Sequence, residues 1–407
     1  MSYELQSPRF QALQEAIESM IKKNAIELIR YPGPGFYSRM FVVPKATGGW
    51  RPVIDLSPFN RAVDTTKFRM ETPRTVLEAL LPGDWFVAID LKDAYFQIPM
   101  HQRSRKYLRF VWQGQIYQFR ALCFGLSTAP QVFTRIMAPI SILAHKKGFR
   151  LHRYLDDWLL AAPSQTKVLE ARDWLLNTCK TLGLLVNWEK SELKPTQSIQ
   201  YLGMLIDSVK SQVYPSESRI QRLRALLQSF LMTEAPPAIV WLKVLGHMVS
   251  LEKLVPQARI HMRAIQWHLK ERWSPITDPK TMQVQPSAEV LLDLVWWLNE
   301  DNLRLGIPLT SPTPDILMFS DASLQGWGAH LEELQVAGLW SPEETSQHIN
   351  CLHINCLELK AVWLGLKHFQ KILTGKNVVS MCDNATVVAH IQNQGGTKSK
   401  NLCQQTI

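Results

Sequence analysis

Apolar positions along the chain switch between two periods, and the switches predict an ordered series of helices and strands. Phe10, Leu13, Ile17, Met20 and Ile21 recur at helical spacing, so residues 9–29 read as an amphipathic helix. Tyr31-Pro32-Gly33-Pro34-Gly35 breaks it, and strand patterns follow at 39–44 and 51–55. Residues 73–81 read as helical. Pro82-Gly83-Asp84 then turns the chain into Trp85-Phe86-Val87-Ala88-Ile89, an apolar strand that ends at Asp90. A helix is expected over 126–144 behind Gly125, a hairpin over 152–161, a helix over 165–182 and a strand over 199–206.

In the second half, Ile220, Leu223, Leu226, Leu227 and Phe230 share one face of a helix over 216–231, with Arg219, Arg222 and Arg224 largely elsewhere. A second helical stretch covers 238–271. Segments 274–287 and 306–314, rich in Pro, Thr and Ser, read as linkers. Strand and helix patterns alternate from Ile316-Leu317-Met318-Phe319 onward. The expected division is 1–207, then a helical 208–285, a linker region 286–314 and a last domain 315–407.

Composition changes this picture little, and charge changes it more. The chain has 407 residues and a net charge of +10. Residues 1–207 hold +9 of it, 208–314 hold +3, and 315–407 hold −2. A basic front fits a phosphate-backbone partner whose affinity falls with salt. No apolar run is long enough for a membrane span, and the start lacks a signal pattern. Six cysteines without paired spacing point to a reducing, intracellular compartment, cytoplasmic or nuclear.

The chemistry lies in acidic residues at strand ends. Tyr154-Leu155-Asp156-Asp157 sits between apolar runs, and Asp90 ends another. An Asp-Asp pair between strands is most often a plain turn. Two strands that each end in an aspartate can instead bring carboxylates together to hold Mg²⁺, with Mn²⁺ as the alternative, for in-line phosphoryl transfer. Around them stand Phe41-Val42-Val43-Pro44-Lys45, Gly49-Trp50-Arg51-Pro52-Val53-Ile54-Asp55, Asp90-Leu91-Lys92-Asp93-Ala94-Tyr95-Phe96, Leu122-Cys123-Phe124-Gly125-Leu126-Ser127-Thr128-Ala129-Pro130-Gln131 and Tyr201-Leu202-Gly203.

In this order and spacing the blocks resemble the reverse transcriptases of retroviruses and retrotransposons, over about residues 20–206 and again from about 315. Val255-Pro256-Gln257-Ala258-Arg259 and the last segment look most like the DIRS-like retrotransposons. The resemblance implies an α+β fold: a right-hand polymerase of fingers and palm (1–207) and thumb or connection (208–285), followed by a truncated ribonuclease H-like α/β domain. It implies that Asp90, Asp156 and Asp157 hold the metal ions, with Asp157 the lesser ligand and Asp93 structural. Lys45 and Arg51 would clasp the triphosphate. Tyr95 would exclude a 2′-hydroxyl, and Phe124 and Gly125 would line the nucleotide. Cys123 and Phe124 depart from the proline and glutamine common at those positions. Lys190 falls where some relatives place a proton donor, and a solvated lysine explains it equally well. Tyr201, Leu202 and Gly203 would grip the primer end.

The last segment resembles ribonuclease H. Asp321 ends a strand before a Gly326-Trp327-Gly328 hairpin, Glu358 lies on a helix, and Asp383 follows the strand Val378-Val379-Ser380-Met381-Cys382. Such a triad activates water against an RNA phosphodiester with paired Mg²⁺. No acidic residue follows Asp383, so the fourth carboxylate of that family is expected to be missing and cleavage low or absent. The tandem His348-Ile349-Asn350-Cys351-Leu352 and His353-Ile354-Asn355-Cys356-Leu357 invites a zinc site at His348, Cys351, His353 and Cys356. A five-residue duplication explains it better.

The function implied is an RNA-directed DNA polymerase with ribonuclease H, from a retrotransposon, acting on RNA or DNA primer-template, RNA–DNA hybrid and dNTPs. An RNA-directed RNA polymerase is disfavoured by Tyr95 and the hybrid-cleaving segment. The remaining alternative is a non-catalytic nucleic-acid-binding remnant of a decayed element.

Overall fold

The first helix ends earlier than its hydrophobic pattern suggests. α1 (Pro8–Lys22) is capped by Ser7, whose side chain accepts from the Phe10 amide. Asn24 then takes a left-handed φ of 60°, which stops the helix. Residues 26–29, read as helix from sequence, are instead strand β1 (Ile26–Ile29). A computed structural model describes residues 7–31, 33–44, 48–341 and 354–406, and the chain divides into two units at Leu202/Gly203.

In the first unit, β2 (Tyr37–Pro44) and β3 (Trp50–Asp55) form a hairpin, followed by α2 (Ser57–Asn60) and α3 (Pro73–Ala79). β4 (Trp85–Asp90) leads into a single 3₁₀ turn, Ala94–Gln97, and α4 (Gln102–Arg105). Then come β5 (Arg109–Trp112), β6 (Gln115–Phe119), α5 (Ala129–Lys146), β7 (Arg150–Tyr154), β8 (Asp157–Ala162), α6 (Gln165–Thr181), β9 (Glu192–Thr196) and β10 (Ser198–Tyr201). One sheet has the order β1-β6-β5-β2-β3, and a second has β7-β8-β4-β9.

β8 is buried along five successive positions, Trp158 to Ala162. Its neighbours β4 and β7 flank it in the sheet, and Phe86, Val87, Phe133 and Leu175 are fully buried in the same unit. Burying each such side chain is worth about 1.5–3 kcal/mol. That core holds the two acidic strand ends against each other. The helix expected from 126 starts at Ala129, with Pro130 in its first turn and Pro139 in its interior.

The second unit opens with β11 (Met204–Asp207) and β12 (Gln212–Pro215). The strand expected over 199–206 is therefore two strands, turned at Leu202 (φ 47°) and Gly203 (φ 74°). α7 (Glu217–Leu231), α8 (Ala238–Leu251), α9 (Ile260–Arg272), α10 (Ala288–Leu298) and α11 (Glu300–Arg304) follow. The stretch 238–271 is two helices, parted where Pro256 and a left-handed Gln257 (φ 60°) interrupt. Residues 286–314 do not form a linker. Val290, Leu294, Trp297 and Leu303 are fully buried in the helical core beside Trp241 and Phe230, and β13 (Ile307–Pro308) pairs with β12.

A further sheet has the order β16-β15-β14-β17. β14 (Ile316–Ala322), β15 (Gly326–Leu331) and β16 (Leu334–Leu339) form an antiparallel meander, and β17 (Val378–Met381) joins β14 in parallel. α12 (Ile354–His368) packs on β14 through Leu359 and Val362 against Met318. α13 (Gln370–Leu373), α14 (Ala385–Gln392) and α15 (Lys400–Thr406) complete the chain. No described helix is long and apolar enough to cross a membrane.

Candidate active sites

Asp90 and Asp157 are directly opposed in the antiparallel β4–β8 pair. The Leu91 amide donates to the Asp156 carbonyl at 2.9 Å, which makes Asp90 and Asp157 a non-hydrogen-bonded pair. Side chains approach most closely in such pairs. Asp156 occupies the two-residue turn between Tyr154 and Asp157, beside a left-handed Leu155 (φ 54°). The Trp158 indole pins that turn by donating to the Leu155 carbonyl at 2.8 Å.

The electrostatics are those of crowded carboxylates. Burial, then the charges of Asp156 and Asp90, push Asp157 up to about 6, although it keeps an open side. Asp156 is raised by burial and by Asp90. Lys190 pulls both down, so this lysine faces the cluster. The donor set is all hard carboxylate oxygen, with negative charge that Lys190 only partly offsets, which fits Mg²⁺ or Mn²⁺.

Tyr95 lies in the 3₁₀ turn after β4 and is buried, its hydroxyl pushed up to about 12 by burial and then by Asp156. Its ring packs on Phe124 at 4.8 Å between centroids, and Phe124 is exposed. Gly125 has φ +93°, and a Cβ there would meet the Ile54 carbonyl at 3.0 Å. Asn60 clamps this loop: its amide donates to the Gly125 carbonyl at 2.8 Å and its oxygen accepts from Ser127 at 2.9 Å. Sequence reasoning missed Asn60, whose only signal is its place after Ser57-Pro58-Phe59.

Asp93 has φ 51° and pairs with Lys23 at 2.8 Å, a structural contact. Arg51 is exposed on β3 opposite Val43, and no contact among the described residues ties it to the carboxylates. Lys45 lies outside the described residues. Tyr201 is buried, and its hydroxyl donates to the Asp157 carbonyl at 3.0 Å. In the second unit, Gly203 has φ +74°, a left-handed conformation that favours glycine, and the Arg219 guanidinium lies where a Cβ would be.

A second cluster lies within the second unit. Phe319 and Met381 are register partners in the parallel β14–β17 pair. Asp321 and Asp383 each stand two residues beyond, at one level. Glu358 is 6% exposed on α12. Ligand atoms of Glu358, Cys382 and Asp383 lie within 4.8 Å of one another. Burial, then Asp321 and Asp383, raise the Glu358 carboxyl. A cleft of about 770 Å³ opens beside Asp321 and Asp383. Cys382, its thiol 3.9 Å from Glu358, is a neighbour that sequence reasoning did not single out. Of the His-Cys tandem, His348, Cys351 and His353 lie outside the described residues, and Cys356 is buried on α12.

Residues 43–206 match the family model described as reverse transcriptase (RNA-dependent DNA polymerase). The Gag-Pro-Pol polyprotein of human T-cell leukemia virus 2 is 28% identical over 269 residues, covering 63% of this chain and 17% of that protein. The Gag-Pol polyprotein of avian reticuloendotheliosis virus is 34% identical over 176 residues, covering 39% and 15%. A foamy viral protease-reverse transcriptase, solved in complex with an RNA/DNA hybrid, aligns with a TM-score of 0.65 at 14% identity, covering 99% of this chain and 52% of that one. The chain thus spans less than a fifth of the length of these polyproteins. Residues 43–206 are a reverse transcriptase domain related to retroviral and retroelement Pol polyproteins, and the mixed α+β fold matches foamy viral reverse transcriptase over most of the chain.

Proposed function

We propose that the chain is an RNA-directed DNA polymerase with an associated ribonuclease H-like segment, from a retrotransposon. The observation that carries the polymerase reading is the opposed Asp90–Asp157 pair with Asp156 in the adjoining turn, where burial and neighbouring charge raise the Asp156 and Asp157 carboxyls. Magnesium bound there supplies activation of a primer 3′-hydroxyl and charge for the departing pyrophosphate. Asp90, Asp156 and Asp157 would hold it, and Lys190 would steady the phosphate charge that gathers beside them. Tyr95, with Phe124 over it, would form a rigid floor under the incoming sugar and leave no room for a 2′-hydroxyl. Gly125, clamped by Asn60, would let the backbone approach the nucleotide. Lys45 and Arg51 remain proposals of the family resemblance. Tyr201, Leu202 and Gly203 would form a turn against the primer end.

Asp321, Glu358 and Asp383 support a hybrid-cleaving site, since they converge from two strands and a helix and leave a carboxyl with raised proton affinity. RNA or DNA primer-template, RNA–DNA hybrid and dNTPs are the proposed partners. The DIRS-like assignment rests on the Val255–Arg259 phrase and the last segment, and free thiols at the described cysteines favour a reducing compartment. The polymerase reading is tested by primer extension on a primed RNA with Mg²⁺. Extension is expected with dNTPs and not with NTPs. No extension with either favours the non-catalytic remnant.

A further inference from the structure

The ladder beside Asp90 has a gap at the site itself, between the β9 pairing at Ala88–Glu192 and an isolated antiparallel bridge at Leu91–Val186. In its non-hydrogen-bonded pairing with Asp157, the Asp90 amide and carbonyl turn away from β8. They point toward β9, but β9 pairs with β4 only at Phe86–Thr196 and Ala88–Glu192, with a shifted register between them. A polar backbone group left there needs another partner. The Asp90 amide donates to Ser191 Oγ at 3.0 Å. That hydroxyl in turn donates to the Asn187 carbonyl at 2.7 Å, and the Asn187 amide returns to the Asp90 carbonyl at 2.8 Å. One serine thereby replaces a missing rung and closes the Asp90 backbone into a ring of hydrogen bonds. Across the pair, the buried Tyr201 hydroxyl holds the Asp157 carbonyl at 3.0 Å.

The geometry assigns Ser191 and Tyr201 as positioning residues of the carboxylate site, two hydroxyls that latch the main chain of the two opposed aspartates and fix where their side chains project. The assignment rests on the metal-binding reading above. Neither hydroxyl touches a carboxylate, and each acts through the backbone of the residue that does. Groups that orient a metal ligand typically matter by about ten- to hundred-fold in metal affinity or activity. Tyr201 therefore has a task separate from any contact of its turn with nucleic acid, because its phenolic hydrogen is committed to Asp157.

The test is a manganese titration, followed by the electron paramagnetic resonance of free Mn²⁺. It uses the full chain in an Asp321→Asn, Glu358→Gln, Asp383→Asn background that removes the carboxylates of the second cluster. Ser191→Ala and Tyr201→Phe are each expected to weaken Mn²⁺ binding by about tenfold or more. Ser191→Thr, which keeps the hydroxyl, is expected to bind as the parent does. Each variant should lower the thermal midpoint only by what one lost hydrogen bond costs, Ser191→Ala should keep the parental primer-template affinity, and in extension assays kcat should fall with the dNTP KM unchanged. Parental Mn²⁺ affinity in Ser191→Ala or in Tyr201→Phe overturns the assignment for that residue, as does a loss that Ser191→Thr fails to restore. The titration needs no turnover. A parent chain that binds Mn²⁺ but extends no primer would sink the polymerase reading and leave this test standing.

Discussion

Asp157 shows at the scale of one residue what the cluster asks for. Its carboxyl is raised from 3.8 to about 6. A carboxyl raised on folding stabilises the fold fully below its unfolded value, and that contribution is lost as pH climbs through about 6. The metal-free protein is therefore penalised at neutral pH by its own aspartates, and a divalent cation relieves the penalty only where they are ionised. Mg²⁺ is expected to raise the melting temperature more at about pH 7.5 than at about pH 5. Equal shifts by calorimetry would count against the site. Tyr95 carries a separate prediction. Tyr95→Val removes the ring that Phe124 packs on, so incorporation of NTPs relative to dNTPs should rise by about tenfold or more, measured in competitive extension. An unchanged ratio would leave Tyr95 a core residue only.

At the scale of elements, the strands at the site were legible and the junctions were not. The apolar run Trp85–Ile89 and the hairpin around Asp156 announce themselves by composition. The facing of Asp90 and Asp157 depends on register, which hydrophobicity alone does not set. Leu202 and Gln257 adopt positive φ without being glycine, so nothing in their chemistry announces the breaks they make; Asn24 is a residue that tolerates the left-handed region, a stop signal that the apolar pattern running on past it masks. Residues 288–304 were hidden by Pro, Ser and Thr on both sides, although Val290, Leu294 and Trp297 share one helical face. Lys45 and most of the His-Cys tandem fall outside the described residues, and Ser191 and Asn60 carry no motif signal. Two substitutions test these elements by chemical denaturation. Trp297→Ala should cost about 3–5 kcal/mol if α10 is integral to the bundle core; a cost near zero would return 286–314 to a linker. Gly125→Ala should cost about 1–2 kcal/mol, because φ +93° and the Ile54 carbonyl both oppose a Cβ.

For the whole molecule, the distribution of charge and the carboxylates make complementary demands. Residues 1–207 hold +9 of the net +10, so primer-template affinity should fall steeply and linearly on a log–log plot against salt. A flat plot would remove the electrostatic case for a nucleic-acid partner. Acidic groups sunk in a basic chain suit a catalyst that attracts a polyanion and then handles its phosphates through cations. The most direct test of that account is Asp156→Asn, compared with the parent on one primed RNA for both primer-template affinity and single-turnover extension with Mg²⁺ and dNTPs. Affinity is expected to stay near the parent value while extension disappears. Extension by Asp156→Asn at the parental rate would contradict the account.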